Sequence, residues 1–142
     1  MMSERRVIDV SASLREPMQG FRKKIAKTVD ADGWNASTLE IYSHAGTHLD
    51  APLHFNINNS SIDKIPVERL ICDCHIVRID PCEPGLFITT EHLGRVSESI
   101  LPGEGIIFNT GWSSYIDDAS MYRDKLPRIS PDLAEWMVRN KI

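Results

Sequence analysis

The sequence predicts an α/β or α+β layered domain, and three observations carry that prediction. Runs rich in β-branched and apolar residues are bounded by Gly, Pro and Asp turn signals. One segment near the end opens with a complete helix-start signature. The 142 residues, 42% hydrophobic and 25% charged, suit a single globular domain with one core. Strands outnumber helices but the two are interspersed, which favours layers over an all-β architecture.

Taken in order, Arg5 to Ser11 reads as a first strand. Lys23 to Val29 and Ser37 to Ser43 read as two more, separated by the turn Asp30-Ala31-Asp32-Gly33. In the third, Leu39 and Ile41 are expected to face the core. Ile71 to Ile79 alternates loosely and stops at Asp80-Pro81. Thr89 to Ile100 reads as a helix, with Thr90 as N-cap, Glu91 in the first turn and Leu93, Val96 and Ile100 at helical spacing. Pro102-Gly103-Glu104-Gly105 turns the chain into Ile106 to Thr110, a buried strand by its continuous apolar character. Ser130-Pro131-Asp132 starts the last helix, whose stripe of Leu133, Trp136 and Met137 belongs to the core. No repeat, low-complexity tract or linker appears, so residues 1–142 read as one domain. A further strand would ordinarily follow the last helix, and the sequence reads as stopped rather than finished.

Composition narrows the partners. A formal charge of −4 with dispersed Lys and Arg offers no phosphate-neutralising patch, so nucleic acid is not an expected partner. The one basic cluster, Arg22-Lys23-Lys24, reads as a solvated strand end. No apolar run is long enough for a signal peptide or a membrane span. Cys72, Cys74 and Cys82 are odd in number, and the one-residue spacer of Cys72-Asp73-Cys74 suits neither a zinc knuckle nor a redox motif. They are expected to be free thiols in a cytoplasmic protein, with Cys72 and Cys74 on one side of a strand.

The chemistry concentrates in Ser43 to Phe55. Three of the five histidines, His44, His48 and His54, fall there with Asp50 between them. On a helix, Asp50 would point away from His44 and His48, and Gly46 and Pro52 oppose a helix anyway. In extended chain all four positions are even and project to one side. The better reading is a strand end leading into an irregular loop. Two imidazoles and a carboxylate with open coordination positions suit a catalytic site for zinc, manganese or iron. Gly46 lets the backbone approach closely or take a positive φ. Thr47 is placed to orient a ligand or contact substrate, and Pro52 stiffens the path to His54. His75 and His92 lack such company and read as structural.

The run His44-Ala45-Gly46-Thr47-His48-Leu49-Asp50-Ala51-Pro52-Leu53-His54 resembles the HxGTHxDxPxH signature of the cyclase family, which includes bacterial kynurenine formamidase and isatin hydrolase. Val7 to Ser11, Ile62 to Pro66, Gly105 to Trp112 and Tyr122 to Pro131 are similar too. The resemblance implies a swivelling β/β/α-type mixed-sheet fold with flanking helices. It implies a hydrolase of amide, formamide or lactam bonds that uses Zn or Mn, with a metal-bound water attacking the carbonyl and a link to tryptophan catabolism. Carried over, His44, His48 and Asp50 bind the metal, Asp50 able to bridge to a second ion, and His54 is the acid/base residue. Phe55 and Trp112 are candidates for an aromatic substrate pocket, packing being the alternative for Trp112. The implied partners are a small aromatic amide, formamide or lactam and a second copy of the chain, not a membrane. The family's later half, with a further histidine and a glutamate at the metal, has no counterpart here. The alternative expectation is therefore a truncated, catalytically impaired metal-binding or interaction subunit.

Overall fold

A computed structural model describes residues 7–142, which form two compact units, one reaching to Pro66 and the other running from Val67 to Ile142. The first unit is built on an antiparallel hairpin. Strand β1 (Phe21–Lys27) pairs with β2 (Ala36–Ile41), from Phe21 opposite Ile41 to Lys27 opposite Ala36. The expected turn between them is a single helical turn, α1 (Val29–Asp32). Thr28 caps it by accepting from the Ala31 amide, and Gly33 at φ 79° closes it.

Strand β1 begins two residues earlier than its apolar pattern indicates and β2 one residue earlier, and Leu39 and Ile41 are exposed rather than facing a core. Alternation in a two-stranded ribbon gives each residue a side but does not supply a layer to cover it. Of the strand expected from Arg5 to Ser11, positions 5 and 6 lie outside the described residues. Positions 7–11 form no strand, and Val7, Ile8 and Val10 stand exposed. Their β-branched side chains have the propensity, but no ladder partner lies beside them among the described residues.

The second unit holds two parallel strand pairs and most of the helix. β3 (Cys74–Arg78) pairs in parallel with β5 (Gly105–Asn109), and the two-residue strands β4 (Phe87–Ile88) and β6 (Arg128–Ile129) pair likewise. Val77, Ile79, Ile88, Leu93 and Leu133 form the core, with Ile106, Phe108, Trp136 and Met137 packed against it. The last helix, α4 (Pro131–Asn140), follows its start signature: the Ser130 hydroxyl accepts from the Leu133 amide, and Leu133 is fully buried. Ser130 also donates through both its amide and its hydroxyl to the Ile88 carbonyl, which fastens the end of β6 to β4.

Two expectations change here. The helix read from Thr89 to Ile100 divides into a 3-10 turn (Thr90–Leu93) and α2 (Val96–Ser99), because Gly94 takes φ 51° and ψ −130°. The cap is Thr89, whose amide donates to the His92 ring, so His92 is structural as expected. The strand at Ile106 is half-buried, not enclosed: Ile107 and its neighbour Ile76 on β3 are exposed. Between Ser99 and Pro131, α3 (Ala119–Asp124) is capped by the Asp118 carboxylate, which accepts from the Ser120 and Met121 amides and sits below the ordinary aspartate pKa for that reason. No helix among the described residues is long and apolar enough to cross a membrane.

Candidate metal centre

The chain leaves β2 at Ile41 and does not stay extended. Tyr42 donates its amide to the Gly20 carbonyl, and Ala45 closes a turn onto the Tyr42 carbonyl. Gly20 permits this approach, since a Cβ there would stand 3.0 Å from the Tyr42 Cβ. Gly46 then takes φ 63°, a left-handed conformation that reverses the chain. The residues expected to project to one side of an extended chain thus meet through a different geometry. The histidines converge because a glycine bend folds the loop back, not because an extended chain alternates.

The bend brings His44 Nδ1 to 3.2 Å from His48 Nε2 and 3.3 Å from Asp50 Oδ1. These three ligand atoms lie within 4.8 Å of one another, and among the described residues no other group of three such side chains clusters. Imidazole and carboxylate ligands at 2.0–2.2 Å from an ion stand roughly 3–3.5 Å from each other, which the two His44 distances match, while the 4.8 Å spread of the set has to close for all three to hold one ion.

The tautomers follow from the partners. His48 Nδ1 lies 2.9 Å from the Gly46 carbonyl, which only accepts, so Nδ1 carries the proton and Nε2 presents its lone pair. This backbone contact fixes the ring as outer partners of ligating histidines do. His44 Nδ1 faces that lone pair and the Asp50 carboxylate, two acceptors, so an incoming cation competes with the His44 proton.

His54 stands beside the cluster. It lies in a 3-10 turn (Pro52–Phe55) whose stiff start is Pro52, and its ring centroid is 4.7 Å from that of His44. Phe55 packs edge-on against His54 at 4.5 Å and is otherwise open to solvent. The 3-10 turn is held by the Leu53 amide donating to Ser60 and by Asn56 in the left-handed region. Thr47 is engaged within the unit: its hydroxyl oxygen accepts from the Ala12 amide at 2.9 Å.

Sequence reasoning passes over three neighbours. Tyr42 stands 5.3 Å from the His44 ring, a contact that spacing of two on one strand face could have indicated. Ala12 and Leu14 lie against Thr47 and Gly46, a long-range contact with no local signal. A cleft of about 660 Å³ between Glu16–Arg22 and Glu40–Tyr42 shares only Tyr42 with these surroundings; none of the ligand residues lines it. Trp112 belongs to the second unit, where it is buried, donates to the Tyr122 carbonyl and packs on Tyr115. Those contacts match the packing alternative. His75 is a partner of Glu104 at 2.9 Å, in keeping with a structural histidine.

This mixed α/β fold and its histidine-aspartate loop define a known class: residues 8–142 match the Cyclase family model, and the chain belongs to that family. Among its relatives is a kynurenine formamidase of Bordetella petrii, 25% identical over 108 residues, which cover 76% of this chain and 48% of that protein. An isatin hydrolase of Roseibium aggregatum is 27% identical over 134 residues, covering 80% and 50%. In structure, isatin hydrolase A from Labrenzia aggregata superposes with a TM-score of 0.80 at 20% identity, over 96% of this chain and 65% of that one. The expected fold class is therefore the observed one. The chain spans about half the length of the curated relatives it matches.

Proposed function

We propose that this chain carries the metal-binding part of a metal-dependent hydrolase acting on amide, formamide or lactam bonds, in the manner of an arylformamidase. The observation that supports this most directly is the convergence of His44 Nδ1, His48 Nε2 and Asp50 Oδ1, with the His54 ring 4.7 Å from His44. The relatives named kynurenine formamidase and isatin hydrolase supply the reaction class.

A divalent ion, Zn or Mn by its N and O donors, supplies Lewis acidity that polarises a carbonyl and acidifies water. His44, His48 and Asp50 would hold it. His54, close by but outside the ligand cluster, is free to take a proton from the attacking water and return it to the leaving nitrogen. Phe55 presents an open aromatic face next to His54, suited to an aromatic substrate. The Thr47 hydroxyl keeps its hydrogen for a donor role toward substrate while its oxygen holds Ala12. Three free thiols fit a reducing, cytoplasmic setting, and the exposed Ile76 and Ile107 favour self-association.

The first test is metal content. Purified protein should hold Zn or Mn, and His48→Ala should weaken that affinity more than about 100-fold, since even outer partners of a ligand carry roughly 10–100-fold. Metal content unchanged in the variant would remove the reading. For the acid/base role, His54→Ala should retain metal yet lower hydrolysis of N-formylkynurenine or isatin by about 10²–10⁴-fold. An unchanged rate would overturn it.

A second reading keeps the His44, His48 and Asp50 cluster without turnover, as a metal-binding or interaction subunit. It predicts full metal binding with no hydrolysis above buffer in the unmodified chain. Light scattering then reports whether the chain assembles with itself.

A further inference from the structure

Away from the histidine loop, the structure places two thiols side by side. Cys72 precedes β3 and Cys74 begins it, and their sulfurs are 3.8 Å apart, both in exposed residues. Opposite Cys74 in the parallel ladder stands Gly105. A Cβ at Gly105 would lie 3.1 Å from the Cys72 sulfur and 3.1 Å from the Cys74 sulfur. The missing side chain leaves a notch in which both sulfurs sit.

We propose that Cys72 and Cys74, seated over Gly105, form a two-thiolate site for one soft, low-coordinate metal ion, Cu(I) in particular. Two alternatives fit less well. A disulfide needs an S–S bond of about 2.05 Å and Cα atoms usually within roughly 6.8 Å. Extended chain holds residues two apart at about 6.6–6.8 Å, the upper limit of that range. An ion with metal–sulfur bonds of about 2.3 Å can bridge up to roughly 4.6 Å, so it spans the observed separation without moving backbone. Zinc wants four ligands, and among the described residues no third histidine, cysteine or carboxylate joins the pair in a cluster. Thiolate softness with low coordination selects Cu(I).

The step balances as Cu⁺ plus two thiols giving a dithiolate cuprate and two protons. Copper affinity therefore rises with pH.

The test uses reduced, full-length chain saturated with Zn(II), so that the histidine loop is filled. Titration with Cu(I) against a bicinchoninate competitor should show one equivalent bound. Cys72→Ser and Cys74→Ser should each weaken it at least 100-fold, while Cys82→Ser leaves it unchanged. Gly105→Ala, which presses a methyl against both sulfurs without replacing either cysteine, should weaken it about tenfold. Phenylarsine oxide, which condenses with paired thiols and releases one water, should add once per chain and fail to add to either serine variant. Copper binding indifferent to Cys72→Ser and Cys74→Ser, or an arsenical adduct on Cys82, would overturn the site. Retention of Zn(II) by the pair against Cu(I) would overturn the choice of ion. Because the readout is at the thiols, the result is independent of whether His48 and His54 act as proposed.

Discussion

The two units achieve order by different means. The unit reaching to Pro66 buries few apolar side chains, Met18, Phe21 and Ala45, and leaves Ile25, Leu39 and Phe55 in solvent. Its histidine loop is shaped by short-range devices: the Tyr42–Ala45 turn, the Gly46 bend, the His48–Gly46 contact and the 3-10 turn at Pro52. The unit from Val67 instead condenses Val77, Ile79, Ile88, Leu93 and Leu133 from four separate elements into one core. Local turns do most to gather the candidate ligands, with Gly20 and Ala12 fastening the loop from farther along the chain, whereas a core needs partners distant in sequence. Stability and chemistry are therefore expected to respond to different substitutions.

The largest expected effect on stability tests the core side of that contrast. Leu133→Ala removes a fully buried side chain and should cost about 2–5 kcal/mol in urea unfolding. If the contrast holds, the metal affinity of the folded protein barely changes. A comparable loss of metal affinity under native conditions would show that the loop depends on that core.

Gly46→Ala tests the other side. At φ 63° an alanine costs about 1–2 kcal/mol, and its Cβ would meet the Leu14 Cδ2 at 2.8 Å. Leu14 is flexible at that end, so the strain should fall on the loop. The expected outcome is a roughly tenfold loss of metal affinity measured by competition, corresponding to about 1.4 kcal/mol. Unchanged affinity would mean the bend is not needed to bring His44 and His48 together.

The smallest effect concerns pH. Glu104 accepts from the Leu101 amide and pairs with His75, and these hold its carboxyl below the ordinary glutamate pKa. A depressed carboxylate contributes stability above its unfolded pKa and loses it as pH falls through the folded one. Glu104→Gln should therefore lower the melting temperature slightly at neutral pH, with the difference from the unsubstituted chain vanishing in acid. A constant difference at all pH values would assign the effect to packing instead. The group is only half-buried, so the shift should be modest.

How much of this was legible in the sequence varies by element. The last helix was fully readable, because Ser130, Pro131 and Asp132 encode its start within one turn and Leu133, Trp136 and Met137 mark its face. The hairpin was readable through Thr28 to Gly33, with its strands displaced by one or two residues. The stretch from Thr89 misled, since helical spacing of Leu93, Val96 and Ile100 outweighed Gly94, whose backbone breaks the helix. Val7 to Ser11 and Ile107 misled in another way. β-branched character records a preference for the pleat, but only neighbouring strands and a covering layer decide pairing and burial.

The sequence by itself determined the candidate donor set. His44, His48, Asp50 and His54 share one short segment, and their ligand chemistry belongs to the side chains whatever the fold. It also set Cys72 and Cys74 two residues apart, although the strand expected to hold both begins only at Cys74. Only the tertiary structure decided how those groups meet. The Gly46 bend sets the 3.2 and 3.3 Å spacings, the Gly46 carbonyl chooses the His48 tautomer, and Ala12 fastens Thr47 from 35 residues away. It likewise put Gly105 beneath the thiols through a parallel pairing that no local pattern announces. The physical reason is the same in each case. Residue types carry donors and charges, but distances between them depend on backbone torsions and on strand partners far along the chain.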